Sequence, residues 1–426
     1  MLTTSVPKGW EIMSIGDFTL EHKQGYYTKQ QYENEGVLLA RITDLGNPKV
    51  NFCSMPKLQV SEKDYQAFKV SKGDFLFARS GAIGRYGIIS HEPPKTIFAS
   101  YLIRFRFSEQ VNSYYVGQVY ESELTQAQIK AISQGNANIN INAENIKKLK
   151  ILVPPIREQQ KIAEILSTVD KKIDLIDQKI AETEKLKTGL MQKLFSEGVG
   201  VQDENGEWHA HTEFHSIKNV TLPVGWKLDN LGTLLEKIVG GGTPSKAKPE
   251  YWGGSIPWAS VKDFKKPWLS SDCIMDTITN EGLKNSSANL IEPDVVVIPT
   301  RMALGKVAMT KGSIAINQDL KALYPKNIID NLFLFYWLQH QASKIESLGS
   351  GSTVAGIRLE ILKSIDCLYP ESISEQKQIS RILKCTDSKI DLLIEQKVAT
   401  QKLKKGLMQK LLTGEWRVPV EETEAA

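Results

Sequence analysis

Cysteine is scarce in this chain: among 426 residues there are four, Cys53, Cys273, Cys367 and Cys385, far apart and never in a CxxC pair. That spacing excludes a disulfide framework and a zinc knuckle, and it suits a reducing, cytoplasmic setting. Long apolar runs are also missing. The longest, Leu332 to Leu338, falls far short of the roughly 20 residues a membrane helix needs, and the opening MLTTSVPKGWEIM has no apolar signal core. The expectation is a soluble protein with no membrane partner. Neither sign of charge dominates, since 53 Lys and Arg against 49 Asp and Glu leave a formal net charge of +4. That balance allows a nucleic-acid partner without requiring one. Also absent are an NPPY-type tetrapeptide for chemistry on an extruded adenine, a GxGxxG dinucleotide loop and a GxxxxGK[ST] loop for ATP. With 41% apolar and 24% charged residues, what remains is ordinary globular material for two or three domains.

What is present is a duplication. Glu158 to Leu194 recurs as Glu375 to Leu411 at a constant offset of 217 (375 − 158 and 411 − 194), so that EQQKIAEILSTVDKKIDLI lies over EQKQISRILKCTDSKIDLL and KLKTGLMQKL over KLKKGLMQKL without a gap. In the first copy Ile162, Ile165, Leu166, Val169, Ile173, Ile176, Ile180, Leu186, Leu190 and Leu194 fall mostly three or four apart, the spacing of an apolar helix seam. Pro154 and Pro155 stand at the entrance and Gly198 and Gly200 beyond the exit, where a helix tolerates them. Each copy therefore reads as one helix, a rod of roughly 57 Å. The apolar stripe needs cover. One rod against the other, antiparallel, is the simplest solution, and packing of each rod on its own domain is the alternative.

The duplication extends upstream. VPKGWEIMSIG at Val6 to Gly16 recurs as LPVGWKLDNLG at Leu222 to Gly232, LLARITDL matches PWASVKDF, and GDFLFARSGAIGR matches PDVVVIPTRMALGK. A Gly-rich turn follows in each half, Gln134-Gly135-Asn136 and Gly349-Ser350-Gly351. Phe75 to Phe77 and Val295 to Ile298 read as strands, and Leu332 to Leu338 as a buried helix or strand. The fold class is α+β: two mixed α/β domains of one fold in pseudo-twofold tandem repeat, separated by a long antiparallel coiled coil of two related helices. The boundaries are 1–153 for the first domain, 154–197 for the first helix and 198–216 for a linker or hairpin. The second domain takes 217–369, the second helix 370–414 and a tail 415–426.

Two variable domains, each opening on a Gly-Trp element and each closed by an EQ-initiated helix ending in GLMQKL, resemble the specificity subunit of a type I restriction-modification system. The resemblance covers essentially the whole chain. GGGTPSKAKPEYWGGSIPWASVKDF at Gly240 to Phe264, AINQDLKAL at Ala315 to Leu323 and GSGST at Gly349 to Thr353 resemble patterns of that family's target recognition domains. The first half departs more, with EHKQGYYTK where the second has GGTPS. The resemblance implies a non-catalytic subunit with no catalytic residues and no metal of its own. It would read a bipartite, asymmetric site in double-stranded DNA and direct two methyltransferase (modification) subunits and motor-nuclease (restriction) subunits. DNA adenine methylation and phage defence would then draw on S-adenosylmethionine, ATP and Mg2+ held by those partners. A coiled-coil scaffold for protein partners is the alternative from another class, and an orphan or phage-defence relative a third. Salt-dependent, sequence-selective DNA binding separates a DNA reader from a scaffold.

Two constellations invite a catalytic or metal reading. Pro293-Asp294 followed by Asp319-Leu320-Lys321 fits the loose PD…(D/E)xK nuclease pattern. The other half keeps Gly73-Asp74 but has no acidic-x-Lys in FASYLIRFR, so the expectation is scaffold. His209, His211 and His215, with Glu207 and Glu213, form WHAHTEFH after an Asn-Gly turn, and an exposed hairpin is expected there rather than a metal site.

DNA contact calls for Lys and Arg at phosphates and Arg, Asn, Gln, Ser and Thr at base edges. The candidates are Arg41, Arg79, Ser80, Arg85, Asn136 and Asn138 in the first domain. In the second they are Thr243, Ser245, Lys246, Lys248, Ser260, Lys262, Arg301, Lys306, Gln318 and Ser352. A duplicated Leu- and Met-rich patch at the rod ends, Leu190, Met191 and Leu194 with Leu407, Met408 and Leu411, is the expected partner-binding surface.

Overall fold

In this computed structural model, which describes residues 6–133, 141–350 and 356–420, the chain divides into two compact units. The first comprises Met1–Gln178 with Glu395–Ala426 and the second Lys179–Ile394, so each unit holds one domain and a stretch of both long helices.

In the first unit β1 (Glu11–Ser14) leads to β2 (Thr19–Gln24) and β3 (Val37–Ala40). Then come β4 (Phe75–Ala78), β5 (Tyr86–Ile88), β6 (Thr96–Phe98), β7 (Leu102–Phe107), α1 (Ser113–Glu121), β8 (Lys150–Val153) and the long helix α2 (Ile156–Leu194). An antiparallel sheet in the order β2-β7-β4-β5 carries the main core, while β3 runs parallel to β6 and β1 pairs with β8. Phe75, Phe77, Tyr86, Phe105, Tyr115 and Tyr120 are fully buried, in edge-on and stacked ring contacts of the kind aromatic cores favour.

The second unit repeats this order. It contains β9 (Trp226–Asn230), β10 (Leu235–Gly240), β11 (Trp252–Ala259), β12 (Val296–Pro299), β13 (Ala308–Thr310), β14 (Ile314–Ile316) and β15 (Leu320–Pro325). α3 (Asn331–His340), β16 (Asp366–Pro370) and the second long helix α4 (Ile373–Leu411) complete it. Its sheet runs β10-β15-β12-β13 and ends on the short strand Trp268–Leu269, β11 is parallel to β14, and β9 pairs with β16. The apolar run that the sequence leaves open between strand and helix is α3, fully buried from Phe333 to Leu338 and N-capped by Asp330, whose side chain accepts from Leu332 and Phe333 N–H.

Each EQ pair is an anchor between rod and domain. In the first unit the buried Glu158 accepts from Trp10 Nε1 at 3.0 Å and from Arg417 Nε and Nη2 at 2.8 and 2.9 Å. In the second, Glu375 accepts from Trp226 Nε1 at 3.3 Å, His211 Nε2 at 2.9 Å, and the Val199 and Gly200 N–H at 3.0 and 3.1 Å. The neighbouring glutamine works the same way twice. Gln159 donates to Gln110 O and Pro154 O and accepts from Asn112 N–H; Gln376 donates to Ile328 O and Pro370 O and accepts from Asp330 N–H. Every polar atom of these buried side chains is thus partnered, by backbone and indole groups throughout except at Glu158 Oε1, which takes the Arg417 guanidinium. Gly198, at φ +73°, makes the turn to Glu375 possible, since a Cβ there would lie 2.2 Å from the carboxylate.

Within each unit the two helices run antiparallel and are joined by ion pairs: Asp170 with Lys404 at 2.7 Å and Asp177 with Lys397 at 2.6 Å in the first, and Lys187 with Asp387 at 2.6 Å in the second. Seven residues forward from Asp170 to Asp177 is seven back from Lys404 to Lys397, and ten forward to Lys187 is ten back to Asp387. The rods do not bury their stripes only against each other. Leu190, Met191 and Leu194 pack with Ile379 and Leu383 in the second unit's core, and Leu407, Met408 and Leu411 pack with Ile162 and Leu166 in the first unit's core. Both burial schemes read from the sequence are therefore in use.

Candidate nucleic-acid interface

The strand registers place the same loops at one edge of each domain. Gln24 faces Ile103 as Gly240 faces Lys321, and Phe77 faces Ile103 as Ile298 faces Lys321. Downstream of β2 and β10, Gly25 and Gly241 press on the β6–β7 and β14–β15 connections so closely that a Cβ would lie 2.1 Å from Ala99 O and 1.9 Å from Ile316 O. EHKQGYYTK is thus the counterpart of GGTPS, with Tyr27 in the place of Thr243. Beyond β3 and β11 a 3-10 turn is closed by a buried aspartate, Asp44 accepting from Arg41 N–H and Asp263 from Ser260 N–H, both at 2.8 Å. Beyond β4 and β12, Arg79 N–H donates to Tyr101 O and Thr300 N–H to Asp319 O. The chain after each Gly-rich turn returns here, Ile141 N–H to Arg79 O and Ile357 N–H to Thr300 O.

On this edge the second domain sets out Thr243, whose hydroxyl donates to Gln318 Oε1 at 2.6 Å, and Arg301, which is 3.8 Å from the buried Asp319. Asn317 Oδ1 in turn accepts from Asp319 N–H. Arg301 also bridges Gly356 through its backbone. Ser245 and Lys246 are exposed on the loop after Gly241. Lys248 donates to Tyr251 Oη at 2.9 Å and Lys262 pairs with Asp276 at 2.6 Å, and the Tyr251 and Asp276 contacts hold both ammonium groups above the ordinary lysine pKa. Lys306 lies deeper, donating to Phe264 O in a cleft of about 270 Å³ that it shares with Lys265 and Lys266.

In the first domain Arg41 is held by Asp44 through Nε and Nη2, both at 3.0 Å, and it also reaches Ser54 O. Its fork is committed within the domain, and Ser260 has the same capping place in the second. Arg79 and Ser80 are half-buried at the edge, and Arg85 is exposed beside it with Nη1 3.4 Å from Ile42 O. Asn136, Asn138 and Ser352 lie outside the described residues. Sequence reading passed over Tyr27 and Tyr101, 69% and 61% exposed on this edge, because an exposed aromatic carries no periodic signal. Both suit stacking on bases or sugars.

The catalytic and metal readings do not assemble. Asp294 sits at the entrance of β12 and Asp319 beside its exit, about 20 Å apart over six residues of strand. Register also corrects the pairing with the first domain: Asp294, at φ +61°, takes the place of Gly73, at φ +91°, not of Asp74, which is buried against Arg104 and Arg106. In the linker, His209 pairs with Asp203 while His211 turns inward to Glu375, so this stretch is not wholly exposed. Among the described residues no cluster of His, Cys, Asp and Glu could hold a metal ion.

On the rods, the residues of the expected partner-binding patch differ in exposure. Leu194 and Leu411, 6% and 5% exposed, are closed into the cores, whereas Leu186 and Leu403, 217 residues apart, are each 54% exposed. Next to them Gly189 and Gly406 have nothing within 4 Å of a notional Cβ. Leu175 and Leu392, also 217 apart, are 56% and 65% exposed. In the second unit Leu186, Gly189 and Leu190 line a groove of about 470 Å³.

The family described as Type I restriction modification DNA specificity domain matches residues 7–185 and 223–400. A Methanocaldococcus jannaschii chain assigned provisionally to type I restriction enzyme MjaX as its specificity subunit is 28% identical, over 97% of this chain and 95% of its own. The EcoR124I/EcoR124II specificity subunit of Escherichia coli is 36% identical over 40% of this chain and 43% of its own. The crystal structure of a type I S subunit from M. genitalium shares the fold, with a TM-score of 0.58 at 17% identity over 97% of this chain and 98% of the other.

Proposed function

Because the chain belongs to the type I restriction-modification DNA specificity family, we propose that each domain reads one half of a bipartite, non-palindromic site in double-stranded DNA through the loop edge described above. As a specificity subunit it supplies recognition to methyltransferase and restriction subunits and has no catalysis of its own. No helix among the described residues is long and apolar enough to cross a membrane. The observation that carries the finer reading is one loop socket built twice with different side chains. Thr243, Arg301 and Gln318 occupy it in the second domain, Tyr27, Ser80 and Tyr101 in the first. Two different fillings on one scaffold select two different half-sites.

In this reading two methyltransferase subunits dock, one on each exposed apolar stretch of the rods, at Leu186, Gly189 and Leu190 and at Leu403, Gly406 and Leu407. Glycine in mid-helix costs about 1 kcal/mol against alanine, and its presence at both open positions fits close approach of a partner backbone. S-adenosylmethionine, ATP and Mg2+ belong to the partner subunits, and the assembly works in the cytoplasm. The test is exchange of residues 1–153 with those of a relative of known target, followed by sequencing of methylated adenines in a host that supplies the methyltransferase. One half-site should change and the other stay. A change in both halves overturns independent reading.

A further inference from the structure

We infer that two duplicated lysine–aspartate pairs, Lys404 with Asp170 and Lys187 with Asp387, are positioning residues that key each recognition domain to one register of the helix pair. In each unit the pair joins three elements. In the first, Lys404 also donates to Glu121 at the end of α1 at 2.7 Å, and Asp170 accepts from Gln118 of α1 at 2.8 Å. In the second, Asp387 accepts from Tyr336 Oη of α3 at 2.9 Å, and Lys187 reaches Gln339 of α3 at 3.4 Å. The two lysines are 217 residues apart and so are the two aspartates, so the device is inherited with the repeat; the domain-side partners differ.

Burial separates these pairs from ordinary surface pairs. Lys404 and Asp170 side chains are 15% and 23% exposed and Lys187 and Asp387 20% and 18%, against 32% and 46% for the intervening Lys397 and Asp177. A largely buried ion pair adds little net stability over an apolar one, but a buried charge without its partner is costly. Such a pair selects against wrong arrangements more than it stabilises the right one. The competing arrangement is a slip of seven residues, the smallest step that keeps the apolar seams in phase. It would leave Lys187 facing Ser380 or Ile394, according to direction, so both slipped registers strand a buried ammonium. Burial alone would lower the Lys404 pKa, yet Glu121 and Asp170 raise it, so the cation is the form this site holds.

The consequence for target choice rests on the DNA reading above, and the experiment has separate arms for the two. The full chain is assembled with its methyltransferase partner, with Cys53 and Cys385 replaced by serine and spin labels at Glu184→Cys and Lys384→Cys. The interhelix distance should be single and narrow in the parent. Asp170→Lys with Asp387→Lys should broaden it or shift it by about 10 Å, the rise of a seven-residue slip. Adding Lys404→Asp and Lys187→Asp, which restores attraction with reversed polarity, should restore the narrow distance. The milder Asp170→Asn with Asp387→Asn gives a folded comparison with an intermediate width. On DNA carrying the target found from methylated adenines, preference for the native spacer over one changed by a base pair should fall at least tenfold in the reversal variant and return in the full swap, while binding to an isolated half-site stays within about twofold. An unchanged distance in the reversal variant, or no rescue by the swap, overturns the keying. A parent without target preference overturns the DNA reading and leaves the distance arm to judge the pairs alone.

Discussion

Removing the Glu375 carboxylate is the perturbation whose cost follows most directly from the geometry. Glu375→Ala orphans four donors: three that converge on Oε1 (Val199 N–H, Gly200 N–H and His211 Nε2) and Trp226 Nε1 on Oε2. At about 1 kcal/mol each, the low end for an unsatisfied buried group because water can enter the vacated space, the loss is about 4 kcal/mol. Glu375→Gln keeps an oxygen for the three converging donors and turns an amide N–H against the indole, for about 1–2 kcal/mol. Glu158→Ala orphans only one buried donor, Trp10 Nε1, because Arg417 is 46% exposed and can rehydrate; about 1–2 kcal/mol is expected. Native-state hydrogen exchange is the assay. Amides of 199–211 should exchange about a thousandfold faster in Glu375→Ala, which is 4 kcal/mol at 1.4 kcal/mol per decade, and about tenfold faster in Glu375→Gln. If Glu158→Ala loosens 412–418 as much as Glu375→Ala loosens the linker, counting orphaned donors is the wrong physics here.

Two further outcomes follow from the surface and the sheet. Leu186→Glu and Leu403→Glu should each weaken one methyltransferase contact by about 3 kcal/mol, the loss of one apolar burial plus a desolvated charge, and each should halve the bound partner in native mass measurement with little effect on the chain's own stability. Retention of both copies in both variants would move the docking surface elsewhere. Glu21 is pushed up by burial, but Arg104 and Arg106 outweigh that and hold it below the ordinary value of 4.5. A lowered folded pKa gives stability that is present above the unfolded value and lost as pH falls through the folded one. With its side chain 43% exposed, solvent screening limits the difference between wild type and Glu21→Gln to about 0.5 kcal/mol near pH 7. Urea titrations should show that difference shrinking below pH 4.5, and a difference that grows with acid would contradict the ion-pair assignment.

The duplication, the two helices and their antiparallel pairing were legible because helix periodicity and repetition are local signals. The anchoring role of each EQ pair was not. Its donors Trp10 and Trp226 lie 148 and 149 residues away in sequence, and neither a buried glutamate nor its indole announces the other. Arg41 is a DNA-contact candidate as a basic side chain on a loop between strands, and its pairing with Asp44 three residues on was not read from the sequence. Leu194 and Leu411 continue the apolar stripe, and no periodicity distinguishes the turn that enters a core from the turn that stays outside.

The close approach of Gly25 to Ala99 O and of Gly241 to Ile316 O bears on how such a protein can change. With the take-off of the loop fixed there, the turn closed by Asp44 or Asp263, and the return held at Arg79 or Thr300, the backbone frame stands on bonds that use no side chain from the loop tips. Tip residues are then free to mutate without a folding penalty, and new target preferences become accessible through small, individually tolerated steps. Whole-domain replacement is the large step on the same route, because the incoming domain meets the rods through few points: the indole and helix-capping backbone at Glu158 and Gln159 or Glu375 and Gln376, the polar contacts to Asp170 and Lys404 or Lys187 and Asp387, and the apolar rod ends.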